Sequence, residues 1–419
     1  MTINSEKWIQ FLPNEWSITK IGNHFKCRNE KVNDTDYPPL SVAKQGVVPQ
    51  IETVAKTDAN DNRKLVLMND FVINSRSDRK ESSGLSKLNG SVSLINHVLY
   101  QNGQDYYMPF VGILFKNYGF AEEFYRWGHG IVADLWTTRW QEMKNIEIPL
   151  PPLKEQKLIF DFLTNRTFKI DQLISNQEKQ IEKLKEYRQA VITKAVTKGL
   201  DPNAPMKDSG VEWIGKIPDN VGISSVKKFY DITLGKMLQP KQESEKDTLE
   251  YYFCAANLGN NCLKTNDLKQ MWFSVKEKEK YSLKKGDLLV VEGGDVASSS
   301  VINADISNVY FQNSIHRVRP IYGLNEYLHY YLVFVKESGY FDVNCNKATI
   351  MHFTKDKFCN LPLLIRKIEE QKRIVQFLSQ EEAKINHLIS FKKKKIELLI
   401  DYKKSLIYEY VTGKKRVSL

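Results

Sequence analysis

The sequence predicts an α+β protein in which two pseudo-repeated globular heads of mixed α and β structure are joined by two long coiled-coil helices in a cyclic two-fold arrangement. Three observations predict it. A long amphipathic stretch, Glu155 to Lys198, occurs again 215 positions later at Glu370 to Gly413, with 19 of 44 aligned positions identical. Each copy follows a region that opens on the same phrase, Trp8-Ile9 to Leu12-Pro13-Asn14 and Trp213-Ile214 to Ile217-Pro218-Asp219. After Gly199 the chain runs through Asp201-Pro202-Asn203-Ala204-Pro205 into the second region, whereas after Gly413 only a short basic tail follows. The N-terminal segment Thr2 to Pro13 supplies the missing half of that second connection, which makes the repeat cyclic.

The helices are read from their period. Ile170, Ile174, Ile181, Leu184, Val191 and Ala195 follow the 4-3 alternation of a coiled-coil seam, interrupted at Gln177 and Arg188. Ile385, Ile389, Ile396, Leu399, Leu406 and Tyr410 form the matching seam, interrupted at Lys392 and Lys403. Two stripes with polar gaps at equivalent places suit packing on each other, since a long basic side chain can lie along the seam with its charge in water. A helix of about 44 residues spans some 65 Å, more than one compact domain covers. Proline before each helix suits its entry, and Gly199 and Gly413 suit its end.

The heads read as short strands and turns mixed with short helices. Asn69-Asp70-Phe71-Val72-Ile73-Asn74 and Gly286-Asp287-Leu288-Leu289-Val290-Val291 are each a turn followed by an apolar run of strand length. Further along, Gly90-Ser91-Val92-Ser93 to Val98 corresponds to Val309 through Arg319. Framework positions recur while the polar content of the loops differs, as expected for two similar heads with different tips.

Charge adds a constraint. Residues 1–151 carry 17 basic and 17 acidic residues and residues 201–365 carry 20 of each, so the net +11 lies in 152–200 and 366–419, including Lys392 to Lys395 and Lys414-Lys415-Arg416. That excess is either a solvated helix face or a set of phosphate contacts. The five cysteines, with no Cys-x-x-Cys pair, indicate neither a disulfide framework nor a zinc site, and nothing asks for a metal. With neither a signal-peptide pattern nor an apolar run of membrane-spanning length, no membrane association and a cytoplasmic location are expected.

Taken together, Pro149-Leu150-Pro151-Pro152-Leu153-Lys154-Glu155-Gln156 and its helix, Trp213-Ile214-Gly215 to Ile217-Pro218, Gly286-Asp287-Leu288-Leu289-Val290 and Gln312 to Pro320 resemble the specificity subunit of a type I restriction-modification enzyme. The resemblance covers essentially the whole chain. It implies DNA target recognition domains at 1–151 and 201–365, the latter including a linker, and antiparallel spacer helices at 152–200 and 366–419, the latter with the basic tail. It further implies a non-catalytic chain in which each domain reads one half of an asymmetric bipartite site in double-stranded DNA. Two modification (methyltransferase) subunits would dock on the helices, and restriction (translocase/nuclease) subunits are possible partners. No cofactor is expected on this chain; S-adenosylmethionine, ATP and Mg are expected on the partners.

For base contacts the candidates are loop residues able to make paired hydrogen bonds in the major groove. In head 1 these are Arg76, Arg79 and Lys80, with Arg139 near its exit. Head 2 offers Asn313, His316 and Arg317, then Lys347, Thr349 and His352 near its exit, and the Gly293-Gly294 turn for close backbone approach. The competing classes are weaker. Asp36-Tyr37-Pro38-Pro39 holds the letters of an amino-methyltransferase loop in the wrong order, no Gly-x-x-x-x-Gly-Lys phosphate loop is present, and Pro218-Asp219 with Asp267-Leu268-Lys269 reads as turns rather than a nuclease centre. A coiled-coil scaffold whose heads bind proteins is the alternative of another kind.

Overall fold

The computed structural model describes residues 8–9, 12–50, 61–76, 80–130, 136–259, 261–341 and 352–417. The chain divides into two compact units, residues 1–178 with 392–419, and residues 179–391. Each unit therefore combines one head with a half of each long helix, cutting across the head and helix blocks into which the sequence divides by charge.

In the first unit the chain enters on strand Ser17–Lys20, which pairs antiparallel with the exit strand Glu147–Leu150. Between them lies a four-stranded antiparallel sheet of β1 (Phe25–Cys27), β2 (Phe71–Asn74), β3 (Ser83–Leu85) and β4 (Asn96–Gln101), in the order β1-β4-β2-β3. Successive strand residues point to opposite faces. Phe71 and Ile73 join a core containing Phe25, Phe110, Phe115 and Phe120, while Val72 joins a second core with Leu40, Val66, Val92 and Val98. A strand covered on both faces needs an unbroken apolar run, which is why Phe71-Val72-Ile73 shows no polar alternation.

Helix α1 (Leu153–Lys198, 46 residues) follows without a break after Pro152. In the second unit, Gly222–Ser225 and Pro362–Ile365 repeat the entry and exit pairing. Strands β5 (Tyr230–Leu234), β6 (Leu288–Val291), β7 (Ser299–Val301) and β8 (Ile315–Pro320) form the sheet β5-β8-β6-β7, again antiparallel throughout. Leu288 and Val290 face one core, and Leu289 and Val291 the other. Helix α2 (Ile368–Val411, 44 residues) follows the exit strand.

The Glu-Gln phrase that opens both repeats is a latch between helix and head. Buried Gln156 accepts a hydrogen bond from the Tyr107 N–H at 2.7 Å and donates to the Asp105 and Pro151 carbonyls. Gln371 accepts from the Leu324 N–H at 3.0 Å and donates to the Arg366 carbonyl. Its neighbour takes an arginine in both units, Glu155 from Arg416 and Glu370 from Arg366. Arg366 is itself fully buried and donates to the Val196 and Thr197 carbonyls that α1 leaves unpaired at its end. Gly199 and Gly413, both at φ 77°, supply the left-handed residue that terminates each helix.

Along the helices, Ile170 and Leu406 are buried and Ile174, Ile396 and Leu399 half-buried in the first unit. In the second, Ile181, Ile385 and Ile389 are buried and Leu184 and Val191 half-buried. Residues off the seam, such as Phe168, Leu173, Phe391, Leu398 and Tyr402, are exposed. At the polar gaps, Gln177, only 9 % exposed, meets the Nζ of Lys392, its own repeat counterpart, at 3.5 Å, and Lys403 pairs with Asp171 at 2.6 Å.

Candidate nucleic-acid interface

In each head, strand directions bring three chain segments to one edge of the sheet. The ends of β1 and β2 and the start of β4 share an edge in head 1, as the ends of β5 and β6 and the start of β8 do in head 2. A fourth segment joins them. Arg76, just past β2, bridges to Thr137, and Gly293, just past β6, bridges to His352. The Thr138 N–H donates to the Ser75 carbonyl and the Phe353 N–H to the Glu292 carbonyl, so the two heads build this edge alike.

Most of the candidates gather there. Arg76 is exposed, with its backbone N–H held by the Asn74 side chain at 3.0 Å. The Nζ of Lys80 lies 3.1 Å from the Glu122 carboxylate and 4.1 Å from the centre of the Tyr125 ring, which fixes where its charge stands. Arg139 is exposed at the start of the short helix Trp140–Met143. Beneath Arg76 and Lys80 is a cavity of about 20 Å³, lined also by Lys116, Tyr125, Trp136 and Thr138. It has room for about one water and none for a base. Burial pushes the Lys116 ammonium pKa down, and its Nζ donates to the Ser83 carbonyl at 3.0 Å.

In head 2, Gly294 has φ 87°, a backbone shape that favours glycine, and no atom lies within 4 Å of where its Cβ would stand. His352 is exposed and Asn313 half-buried, with the Asn313 N–H donating to the Lys236 carbonyl at 2.9 Å. Burial raises the Glu292 carboxyl pKa, opposed by His352. Arg79, Lys347 and Thr349 lie outside the described residues.

Two candidates must be reassigned. His316 is 0 % exposed, and its Nε2–H donates to the Phe353 carbonyl at 2.8 Å. Burial drives its pKa down to about 4, which keeps the ring neutral. Arg317, 6 % exposed, spends its guanidinium on the Lys280 and Ser282 carbonyls and the Thr233 hydroxyl. Neither side chain reaches the surface where a base edge could meet it. Sequence carries a signal for the histidine: His97 stands at the corresponding place in head 1 and bonds the Thr138 carbonyl at 2.8 Å in the same way. A residue that recurs in two heads with different tips belongs to the framework.

Among the described residues no group of three or more His, Cys, Asp or Glu side chains could hold a metal, and Cys27, Cys254, Cys262 and Cys359 are free thiols. Among the described residues no helix is long and apolar enough to cross a membrane.

Comparison with known proteins matches residues 137–185 and 218–398, more than half of the chain, to the family model described as Type I restriction modification DNA specificity domain. Two relatives from Methanocaldococcus jannaschii are similar over shorter stretches. The type I restriction enzyme MjaVIII specificity subunit is 33 % identical over 156 residues, 36 % of this chain and 32 % of that protein. The putative type I restriction enzyme MjaX specificity subunit is 34 % identical over 97 residues, 23 % of this chain and 21 % of that one. The chain thus spans about a third or less of the length of these relatives. Two solved structures share the fold over nearly the whole length. One is a chain from work on complex assembly and conformational transition of the type I R-M system, at TM-score 0.72 and 16 % identity, covering 97 % of this chain and 100 % of that one. The other is the HsdS subunit from Thermoanaerobacter tengcongensis, at TM-score 0.54 and 17 % identity, covering 96 % and 98 %.

Proposed function

The chain belongs to the type I restriction-modification DNA specificity family, and from that premise we propose that it is the sequence-specificity subunit of a type I restriction-modification complex. The observation that carries the reading is one framework repeated under two unlike tips. Such a molecule reads two different half-sites, so its target is an asymmetric bipartite sequence with an unread gap set by the helices. Arg76, Lys80 and Arg139 in head 1, and Asn313, His352 and the Gly293-Gly294 turn in head 2, are the described residues assigned to base and backbone contacts. Arginine suits guanine and asparagine suits adenine in the major groove, while a glycine turn admits a phosphate or base edge to the backbone.

The chain carries no chemistry of its own in this reading. Two modification subunits dock on the helices and methylate adenine with S-adenosylmethionine, and restriction subunits, where present, supply ATP- and Mg-dependent work. Because the head blocks are charge-neutral, the subunit alone binds DNA weakly, and the modification subunits close around the duplex to complete the phosphate contacts.

Co-expression of the chain with its modification subunit in a methylation-free host, followed by genome-wide mapping of methylated adenines, tests the proposal. A bipartite motif with a fixed unread gap, present only when both proteins are made, is expected. An assembled complex that methylates no motif would instead favour a scaffold whose heads bind proteins.

A further inference from the structure

The chain leaving β5 in head 2 carries a feature that the corresponding stretch of head 1 lacks. The chain leaving β5 continues Gly235-Lys236-Met237-Leu238-Gln239-Pro240, at the same sheet edge as Gly293, Gly294 and Asn313. Met237 is 75 % exposed, more than any other large apolar side chain among the described residues, and Leu238 is 55 % exposed. The corresponding stretch of head 1, Arg28 to Asp36, has one apolar residue, Val32, and it is half-buried.

The loop is held firmly despite its exposure. A Cβ on Gly235 would stand 2.3 Å from the Gln312 carbonyl oxygen, so the backbone lies directly on the neighbouring chain. The Lys236 N–H donates to the Phe311 carbonyl at 3.1 Å, and its carbonyl accepts from the Asn313 N–H. Its buried ammonium is paired with Glu277 and donates to the Gln239 side chain at 2.6 Å, while the Gln239 carbonyl accepts from the Trp272 N–H at 3.1 Å. The one cation between Gly235 and Pro240 is thus neutralised inward, so this stretch is not a phosphate contact. What it offers outward is two apolar side chains on a backbone already held, so only their rotamer freedom is lost on binding.

Resting on the reading of this chain as a DNA specificity subunit, we propose that Met237 and Leu238 are apolar base-edge contacts of head 2, laid in the major groove against the C5-methyl group of thymine. Three points favour DNA as what covers them. The loop shares an edge and a backbone hydrogen bond with Asn313, a candidate base contact. Exposed apolar side chains on an ordered loop gain by leaving water. The thymine methyl is the apolar group that a base pair presents in the major groove. Head 2 therefore requires an A·T pair under this loop, a preference for which the corresponding stretch of head 1, Arg28 to Asp36, exposes no apolar residue.

The test uses the full specificity and modification complex and the motif obtained by methylation mapping. The Met237→Ser Leu238→Ser double variant is expected to lower affinity for that motif about tenfold, the effect of one lost base contact, with unchanged thermal melting and unchanged binding to unrelated DNA. Replacing thymine by uracil, one position at a time, in one half-site should lower wild-type affinity at one position and leave the double variant insensitive there. Wild-type affinity in the double variant overturns the proposal, as does a weakened variant whose wild-type parent ignores every uracil. A wild-type complex that yields a bipartite motif sustains the specificity role in either case, so the two readings fail separately.

Discussion

Asp70 in head 1 and Asp287 in head 2 occupy the same turn and hold it in the same way, yet they take their arginines from different parts of the sheet. Each is buried, follows a residue in the left-handed region (Asn69 at φ 70°, Gly286 at φ 87°) and accepts a backbone N–H three residues earlier, from Leu67 at 2.8 Å and Lys284 at 3.0 Å. Arg28, from the chain leaving β1, supplies the two-pronged partner in head 1, and Arg319, on β8, supplies it in head 2. The carboxylate raises the pKa of each arginine, through its hydrogen bond before any other cause. What the fold requires, then, is an acceptor at a fixed point of a tight turn and a donor fork to balance it. Where the fork comes from is free, and at the tips beyond β2 and β6 almost everything is free. Heads built this way can diverge in what they touch while keeping what they are.

The largest expected effect breaks that common element. Asp287→Ala leaves the Lys284 N–H without its acceptor and Arg319 with only the Ser282 carbonyl, and should cost head 2 about 2 to 3 kcal/mol, below the roughly 3 to 5 of a fully buried pair because Arg319 is partly exposed. Calorimetry or hydrogen exchange should show head 2 opening first with head 1 unchanged, and Asp70→Ala should give the mirror image. Equal loosening of both heads by either substitution would contradict their independence.

The next prediction sharpens the comparison through acid. Burial lowers the His316 and His329 pKa values to about 4, below the roughly 6.5 of an exposed histidine. The folded state holds these rings neutral while the unfolded chain protonates, so stability is intact above about pH 6.5 and falls as pH drops toward 4. For His316 the loss approaches about 3 kcal/mol at the acid end. His97 in head 1 is shifted the same way by burial. With two such rings, head 2 should unfold at higher pH than head 1, and His316→Asn, which can still donate to the Phe353 carbonyl, should flatten its pH dependence. A melting profile that is flat from pH 7 to 5 would refute this.

Smaller effects belong to the surface. Arg76→Ala should weaken discrimination at one position of one half-site by about 1 to 3 kcal/mol, with the other half-site read as before, measurable by competition among half-site variants. Smallest of all, Lys403→Ala removes an exposed ion pair with Asp171 and should change stability by less than about 0.5 kcal/mol, within the error of a melting curve.

How much of this could be read from sequence follows from the kind of constraint involved. The 215-residue repeat, the seam and the terminal glycines are periodic or positional, and they are visible in the residues themselves. The Glu-Gln phrase was visible as a repeat, but its work as a latch depends on the Tyr107 and Leu324 backbones, which only the fold brings near. Arg317 is a candidate base contact by its paired hydrogen-bonding fork; that three oxygens close around it is a matter of tertiary packing. Nothing in the residues around Met237 and Leu238 marks them as exposed; that too is a matter of how the loop lies on its neighbours. The compact units divide the long helices midway, at Glu178/Lys179 and Phe391/Lys392, where the 4-3 period of the seam runs on unbroken in the sequence.

The measurement that tests the central claim most directly exchanges one tip and leaves the framework alone. Residues 75–80 and 136–139 of head 1 would be replaced by the corresponding segments of a family member with a different target, keeping Asp70, His97 and Gln156, and the methylated motif would be mapped again. The account predicts that one half of the motif changes while the other half and the unread gap stay the same. A change in both halves, or in the gap, would contradict it.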